Sequence, residues 1–195
     1  MKTLLRFPAA VLAALLLVCA LAPALAQKVP IQITADLSDA PRKLYHADVD
    51  LPVSPGPLTL TTPKWIPGNH RPTGPVDSIT GVVFTANGQP ISWKRDDVDL
   101  YQFHLVVPKG ASTIHAHLDC IVTARVTQKM AVLEWEKLLL YPANTPVRDI
   151  SIQPSLIVPT GWGIGTALIK PVTSKASHFC IGASWRSKES GHDVG

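Results

Sequence analysis

Seven histidines are the residues of this 195-residue chain best suited to chemistry, and their neighbours limit what that chemistry is. Metal-assisted peptide hydrolysis needs two imidazoles one helical turn apart, with a glutamate beside the first to deprotonate the bound water. None of His46, His70, His104, His115, His117, His178 and His192 is followed by glutamate, so no residue is expected to be catalytic. His115-Ala116-His117 is the one pair with ligand-like spacing. On a strand its two imidazoles share a face, Asp119 continues the row, and His104 falls on the strand expected beside it. That makes His104, His115 and His117 weak candidates for a zinc or copper ion. The outer face of a half-solvated sheet explains the same positions without an ion, and this is the preferred reading.

Other reactive patterns are incomplete. Gly161-Trp162-Gly163-Ile164-Gly165 lacks the Lys-Ser/Thr of a phosphate cradle, and no Gly-x-Ser-x-Gly elbow occurs. Asp96-Asp97 follows Lys94-Arg95 and reads as a surface turn rather than an acid/base pair, and Asp48/Asp50 is not read as such a pair either. Cys120 lies on the apolar phase of a strand, where a thiol is inert.

The best binding candidates are Trp65, His70 and Arg71, carried by Pro63-Lys64-Trp65-Ile66-Pro67-Gly68-Asn69-His70-Arg71-Pro72-Thr73-Gly74-Pro75. Proline fixes φ and holds the preceding residue extended, so this loop presents its side chains with little entropy left to lose. Such a wall can contact a peptide or a neighbouring domain. For Trp65 the preferred reading is structural, a plug at the end of the sandwich, while Arg71 can equally bind carbonyls of its own loop. Glu134 and Trp135 carry the same two readings, a domain-contact pair or an ordinary polar-aromatic strand.

The elements that must position these residues alternate with period two, the mark of strands buried on one face. Tyr45, Ala47, Val49 and Leu51 point one way and His46, Asp48 and Asp50 the other. Leu58 and Leu60 flank Thr59, and Leu100 to Val107 and Ile114 to Val122 alternate in the same manner. Asn87-Gly88 between Val82-Val83-Phe84 and Ile91-Ser92-Trp93 is a hairpin signal. Pro154 assigns Ile150 to Val158 to an edge or a bulge. Met130 to Leu140 is read as a strand or bulged extended segment. The fold expected is all-β, an antiparallel β-sandwich or curved open sheet with little or no helix in the mature part.

Residues 1–26 read as a secretory signal, with Lys2 and Arg6, an apolar run from Val11 to Leu17, and Ala24-Leu25-Ala26 before the cut. Export to a periplasmic or extracellular space is therefore expected. Residues 27–170 form the β-sandwich domain, and 171–195 an irregular tail. Two of the 18 basic residues lie in the signal, so the remainder carries 16 basic against 14 acidic residues with no basic block. Nucleic acid is not a natural partner, nor is a membrane once the signal is removed. Cys120 and Cys180 can pair in an oxidising compartment, although a buried free thiol at Cys120 is the preferred reading.

Pro63-Lys64-Trp65-Ile66-Pro67-Gly68, the Phe84-to-Trp93 hairpin, Leu133-Glu134-Trp135, Leu140-Tyr141-Pro142-Ala143 and Pro159-Thr160-Gly161-Trp162 together resemble the amino-terminal domain of the glycyl-aminopeptidase family of zinc metallopeptidases. The likeness runs from about Val29 to Leu168. It implies a non-catalytic β-rich domain that precedes a thermolysin-like zinc domain in an exported aminopeptidase, with zinc held only by that later domain. The implied partner is a metallopeptidase catalytic domain, or a peptide. Near Lys170 the sequence departs from the family and ends at Gly195, and a truncated or separately encoded domain is the expectation. A free-standing secreted sandwich that binds peptide or glycan is the alternative.

Overall fold

A computed structural model of the chain describes residues 29–166, 171–173 and 178–181. The expected signal and most of the expected tail lie outside the described residues.

Two sheets face each other. The larger contains β1 (Ile31–Asp36), β2 (Leu44–Pro52), β4 (Ile79–Ala86), β5 (Gln89–Ile91), β8 (Thr113–Ile121), β10 (Ile152–Ile157), β11 (Pro171–Thr173) and β12 (His178–Ile181). Its order is β11-β12-β10-β1-β2-β8-β4-β5. The smaller sheet has β3 (Gly56–Thr61), β6 (Trp93–Arg95), β7 (Gln102–Val107) and β9 (Tyr141–Pro142) in the order β6-β7-β3-β9. Pairing is antiparallel except between β1 and β10, which run parallel. The expected all-β fold is what the chain adopts.

Alternation explains the core. Ile33, Ala35, Tyr45, Ala47, Val49, Leu51, Ile114, Ala116, Leu118 and Cys120 are buried on the inner face of the larger sheet. Leu60, Phe103, Leu105 and Val107 oppose them from the smaller one. The sheets lock where Phe84 meets Trp93 and Phe103 edge-on, with ring centroids 5.9 and 6.1 Å away. Burying one such ring stabilises the fold by about 2–3 kcal/mol. Asn87 (φ 50°) and Gly88 (φ 74°) form the expected hairpin turn between β4 and β5. After Ser92 the chain passes to the other sheet, and Trp93 begins β6 beside β7.

Several expectations need correcting. Met130 to Leu140 is not a strand: Val126 and Ala131 make one isolated bridge, and Trp135–Lys137 is a 3₁₀ turn that buries Leu138. Its apolar residues follow neither period, and the segment is held instead by Tyr45, whose hydroxyl donates to the Val132 carbonyl at 3.1 Å. The stretch read as an irregular tail contributes β11 and β12, short strands that composition hides among Ser and Lys. Pro154 does not make β10 an edge strand, for β10 lies between β12 and β1; it is accommodated because the ladder to β12 starts one residue later, at Ser155, so its missing N–H faces no partner on that side. Cys120 is buried and free, four strand positions from β12 in the sheet order, which separates it from Cys180 by far more than a disulfide spans.

Candidate functional site

The proline-rich loop is built as expected but points its aromatic outward. Trp65 and Pro72 bridge as a small antiparallel pair, the Asn69 N–H closes a turn onto the Ile66 carbonyl at 3.0 Å, and Asn69 Nδ2 donates to Thr73 Oγ1 at 2.7 Å. Its base is anchored. Gly74 packs so tightly that a Cβ there would sit 1.8 Å from the Pro63 carbonyl oxygen. The Tyr101 hydroxyl donates to Pro72 O at 3.3 Å, Lys64 pairs with Asp99 at 3.1 Å, and Arg95 donates to Val76 O at 3.2 Å. On this fixed base Trp65 is 62% exposed, and His70 and Arg71 are exposed as well. Trp65 therefore does not plug the sandwich.

One wall of a recess of about 250 Å³ comes from this loop, through Ile66, Asn69, Thr73 and Gly74, and the other from Glu134, Glu136 and Lys137. The structure thus brings the loop and the Glu134 segment together, and of the sequence candidates Glu134 lines the recess while Trp65, His70, Arg71 and Trp135 do not. Glu134 is not free for a ligand, however. Its carboxylate accepts from Lys137 at 2.7 Å and Arg125 at 2.9 Å, and these cations hold its pKa below the usual glutamate value against the opposing effect of burial. Trp135 is half-buried and packs against the core. Asp77 and Glu136 make the recess acidic, with Lys137 as its one lysine.

The histidines divide differently from the sequence reading. His104 lies on β7 in the smaller sheet, not beside β8, because β7 pairs with β3 and β6. There it is a structural tie: Nε2–H donates to Asp96 at 2.8 Å and Nδ1 meets the Thr59 hydroxyl at 3.0 Å. His115 and His117 do share the outer face of β8, but their neighbours come from β2, 65 or more positions earlier in the chain.

Register sets three pairs opposite one another on that face: His46 with Asp119, Asp48 with His117, and Asp50 with His115. The side chains connect in an unbroken row. Asp50 meets His115 at 2.9 Å, His115 meets Asp48 at 3.4 Å, and Asp48 accepts from His117 Nδ1 at 2.8 Å. His117 Nε2 then approaches Asp119 Oδ1 at 3.4 Å, His46 Nδ1 approaches the same oxygen at 2.6 Å, and His46 Nε2 faces Asp39 at 3.4 Å. Partial burial lowers the pKa of His46, but the hydrogen bonds to Asp119 and Asp39 outweigh it and the net direction is up. Asp39 and His46 were not candidates from sequence. The available signal was that β2 and β8 both alternate His or Asp outward; the register that joins them was not readable.

Residues 32–181 match the family described as peptidase M61 N-terminal domain. Among solved structures the chain is similar to an aminopeptidase N family protein from Idiomarina loihiensis, with a TM-score of 0.64 at 16% identity over 79% of this chain and 27% of that one. It also aligns with a mutant two-domain M1 zinc metallopeptidase bound to L-tryptophan (TM-score 0.44, 9% identity, 77% of this chain and 37% of that one). A mutant M1 zinc metallopeptidase from Deinococcus radiodurans bound to a Tyr-Ser-Ala substrate gives 0.43 at 10% identity, over 78% and 37%. At 16% identity the likeness to the Idiomarina protein is one of fold, and the chain spans about a quarter of that protein's length. No curated protein matches.

Proposed function

The chain belongs to the peptidase M61 N-terminal domain family, and from that membership we propose that it acts as the non-catalytic amino-terminal module of an exported zinc aminopeptidase. In this reading it packs against a catalytic domain and helps shape the entrance for a peptide. A catalytic zinc site of the His-Glu-x-x-His kind does not fit residues of this chain, since no histidine carries the adjacent glutamate, and no hydrolytic step is assigned to it.

The observation that carries the reading is Trp65: a large aromatic left 62% exposed on a loop whose base is pinned by Gly74, Tyr101 and the Lys64–Asp99 pair. Rigid exposed aromatics are characteristic anchors for partner surfaces, because they bury much area at little entropic cost. His70 and Arg71 on the same tip supply polar contacts, and the recess between the loop and Glu136 lies beside them along the loop. Export rests on the amino-terminal pattern of residues 1–26. A second reading, a free domain that binds peptide at the acidic recess, rests on Asp77 and Glu136 there.

Turnover of glycyl and alanyl anilides separates these readings. The purified chain alone, with or without zinc, is expected to give none. Added to a separately produced M61 zinc domain it is expected to change that domain's rate or KM, and Trp65→Ala is expected to reduce the change at least several-fold. Zinc-dependent turnover by the chain alone would overturn the reading, and so would a catalytic domain indifferent to it.

A further inference from the structure

We propose that the outer face of the larger sheet binds one divalent transition-metal ion, zinc or copper, through His46, His117 and Asp119. One ligand atom from each of these residues lies within 4.8 Å of the others. The set differs from the one sequence spacing suggests: His104 is in the other sheet, and His115 turns toward Asp50 and Asp48.

Three features distinguish this cluster from ordinary pairing of His with Asp. First, both imidazoles aim one nitrogen at a single oxygen, Asp119 Oδ1, and rest the other against a carboxylate behind it. Asp48 accepts from His117 Nδ1 at 2.8 Å, leaving Nε2 toward Asp119, while His46 Nδ1 hydrogen-bonds Asp119 at 2.6 Å with Asp39 3.4 Å from Nε2, so that an ion would take the place of the Nδ1 proton. A carboxylate behind each ligating imidazole is how metal sites fix the tautomer and orient the ring. Second, the ligands stand on two central strands whose nine-residue ladder fixes their register, so binding orders no loop. The rings of His46 and His117 are nearly parallel, 21° apart with centroids at 6.3 Å. Third, β4 yields over the site. Its register shifts between Thr80 and Val83, and Gly81 (φ 59°) leaves open the space in which a Cβ would stand 2.3 Å from Asp119 Oδ2.

The chemistry of the donors selects the ion. Two neutral imidazoles and a carboxylate suit zinc and copper, whereas magnesium and calcium take oxygen shells. With the imidazoles neutral, Asp39, Asp48, Asp50 and Asp119 carry four negative charges along the row, of which Arg42 answers one at 3.0 Å from Asp39. A dication offsets two of the remaining three. Bound there, it ties β2 to β8 and leaves coordination positions open toward solvent.

The test uses the purified full chain, free of affinity histidines and stripped with chelator. Calorimetric titration with zinc chloride is expected to show one equivalent bound with Kd of about 1 µM or tighter. Electron paramagnetic resonance of the protein with one equivalent of copper sulfate is expected to show splitting from two imidazole nitrogens. His46→Asn and His117→Asn should each weaken zinc at least tenfold, while His115→Asn and His104→Asn stay within about threefold of the parent. Circular dichroism of each metal-free variant checks the fold, and the copper spectrum of the unmutated chain tests the ligand set independently of any variant. Absence of saturable zinc uptake, a copper spectrum without two nitrogens, or equal losses in all four variants would overturn the proposal.

Discussion

Asp96 shows how one side chain can organise a turn and give it a pH dependence. Its carboxylate accepts the backbone N–H groups of Asp99 at 2.7 Å and Val98 at 2.8 Å, and His104 Nε2–H at 2.8 Å. Those donors, the Asp99 N–H foremost, lower its pKa from the ordinary 3.8 to about 2. A carboxyl whose folded pKa is depressed contributes stability that is present above its unfolded value and is lost as pH falls through the folded one. The urea midpoint of the parent is therefore expected to fall between about pH 4 and pH 2, and Asp96→Asn to flatten that portion of the profile. An unchanged slope would remove Asp96 from this role. Cys120 gives a second prediction at this scale. Burial pushes its thiol up to about 11, so it is expected to resist alkylation at pH 8 until the protein unfolds, as mass spectrometry under native and denaturing conditions would read. Its inertness was legible in the sequence, because the residue falls in phase with Ile114, Ala116 and Leu118. The partners of His104 were not legible. The sequence reading placed neighbouring strands in chain order, whereas β7 and β8 belong to different sheets.

Elements, unlike single contacts, were largely visible where they alternate. β2, β7, β8 and the β4–β5 hairpin follow from period two and from Asn87-Gly88. β1 escaped notice although Ile31, Ile33 and Ala35 alternate with Gln32, Thr34 and Asp36, and its parallel pairing with β10 is a contact across more than a hundred residues that no local pattern encodes. Met130 to Leu140 was misread because the segment is shaped by what it packs on rather than by its own periodicity. Tyr45→Phe removes the hydrogen bond that ties it to β2 and is expected to cost about 1 kcal/mol in chemical denaturation. The proline-rich loop should be less forgiving. Gly74→Ala drives a methyl into the Pro63 carbonyl and the Tyr101 ring and is expected to destabilise by about 2–3 kcal/mol or more. A neutral Gly74→Ala would mean that the loop base is softer than its contacts imply. Stiffness was readable from the prolines, but the outward aim of Trp65 was not, since an aromatic beside prolines serves equally well as a plug or as an anchor.

At the scale of the whole molecule, the two sheets close a complete core, and function is left to what they present outside it. Among the described residues no helix is long and apolar enough to cross a membrane. Two parts of the surface bear the proposals: the loop and recess around Trp65 and Glu136, and the imidazole-carboxylate row across β2 and β8. The chain belongs to the M61 N-terminal domain family, and the exposed loop tip is the surface we propose for contact with a catalytic domain. Sedimentation velocity of the purified chain mixed with a separately produced M61 zinc domain tests this most directly. The account predicts a one-to-one complex that Trp65→Ala weakens at least tenfold while Val106→Ala, an exposed substitution on β7, leaves it intact. Two species sedimenting independently at all concentrations, or a complex equally tolerant of both substitutions, would contradict it.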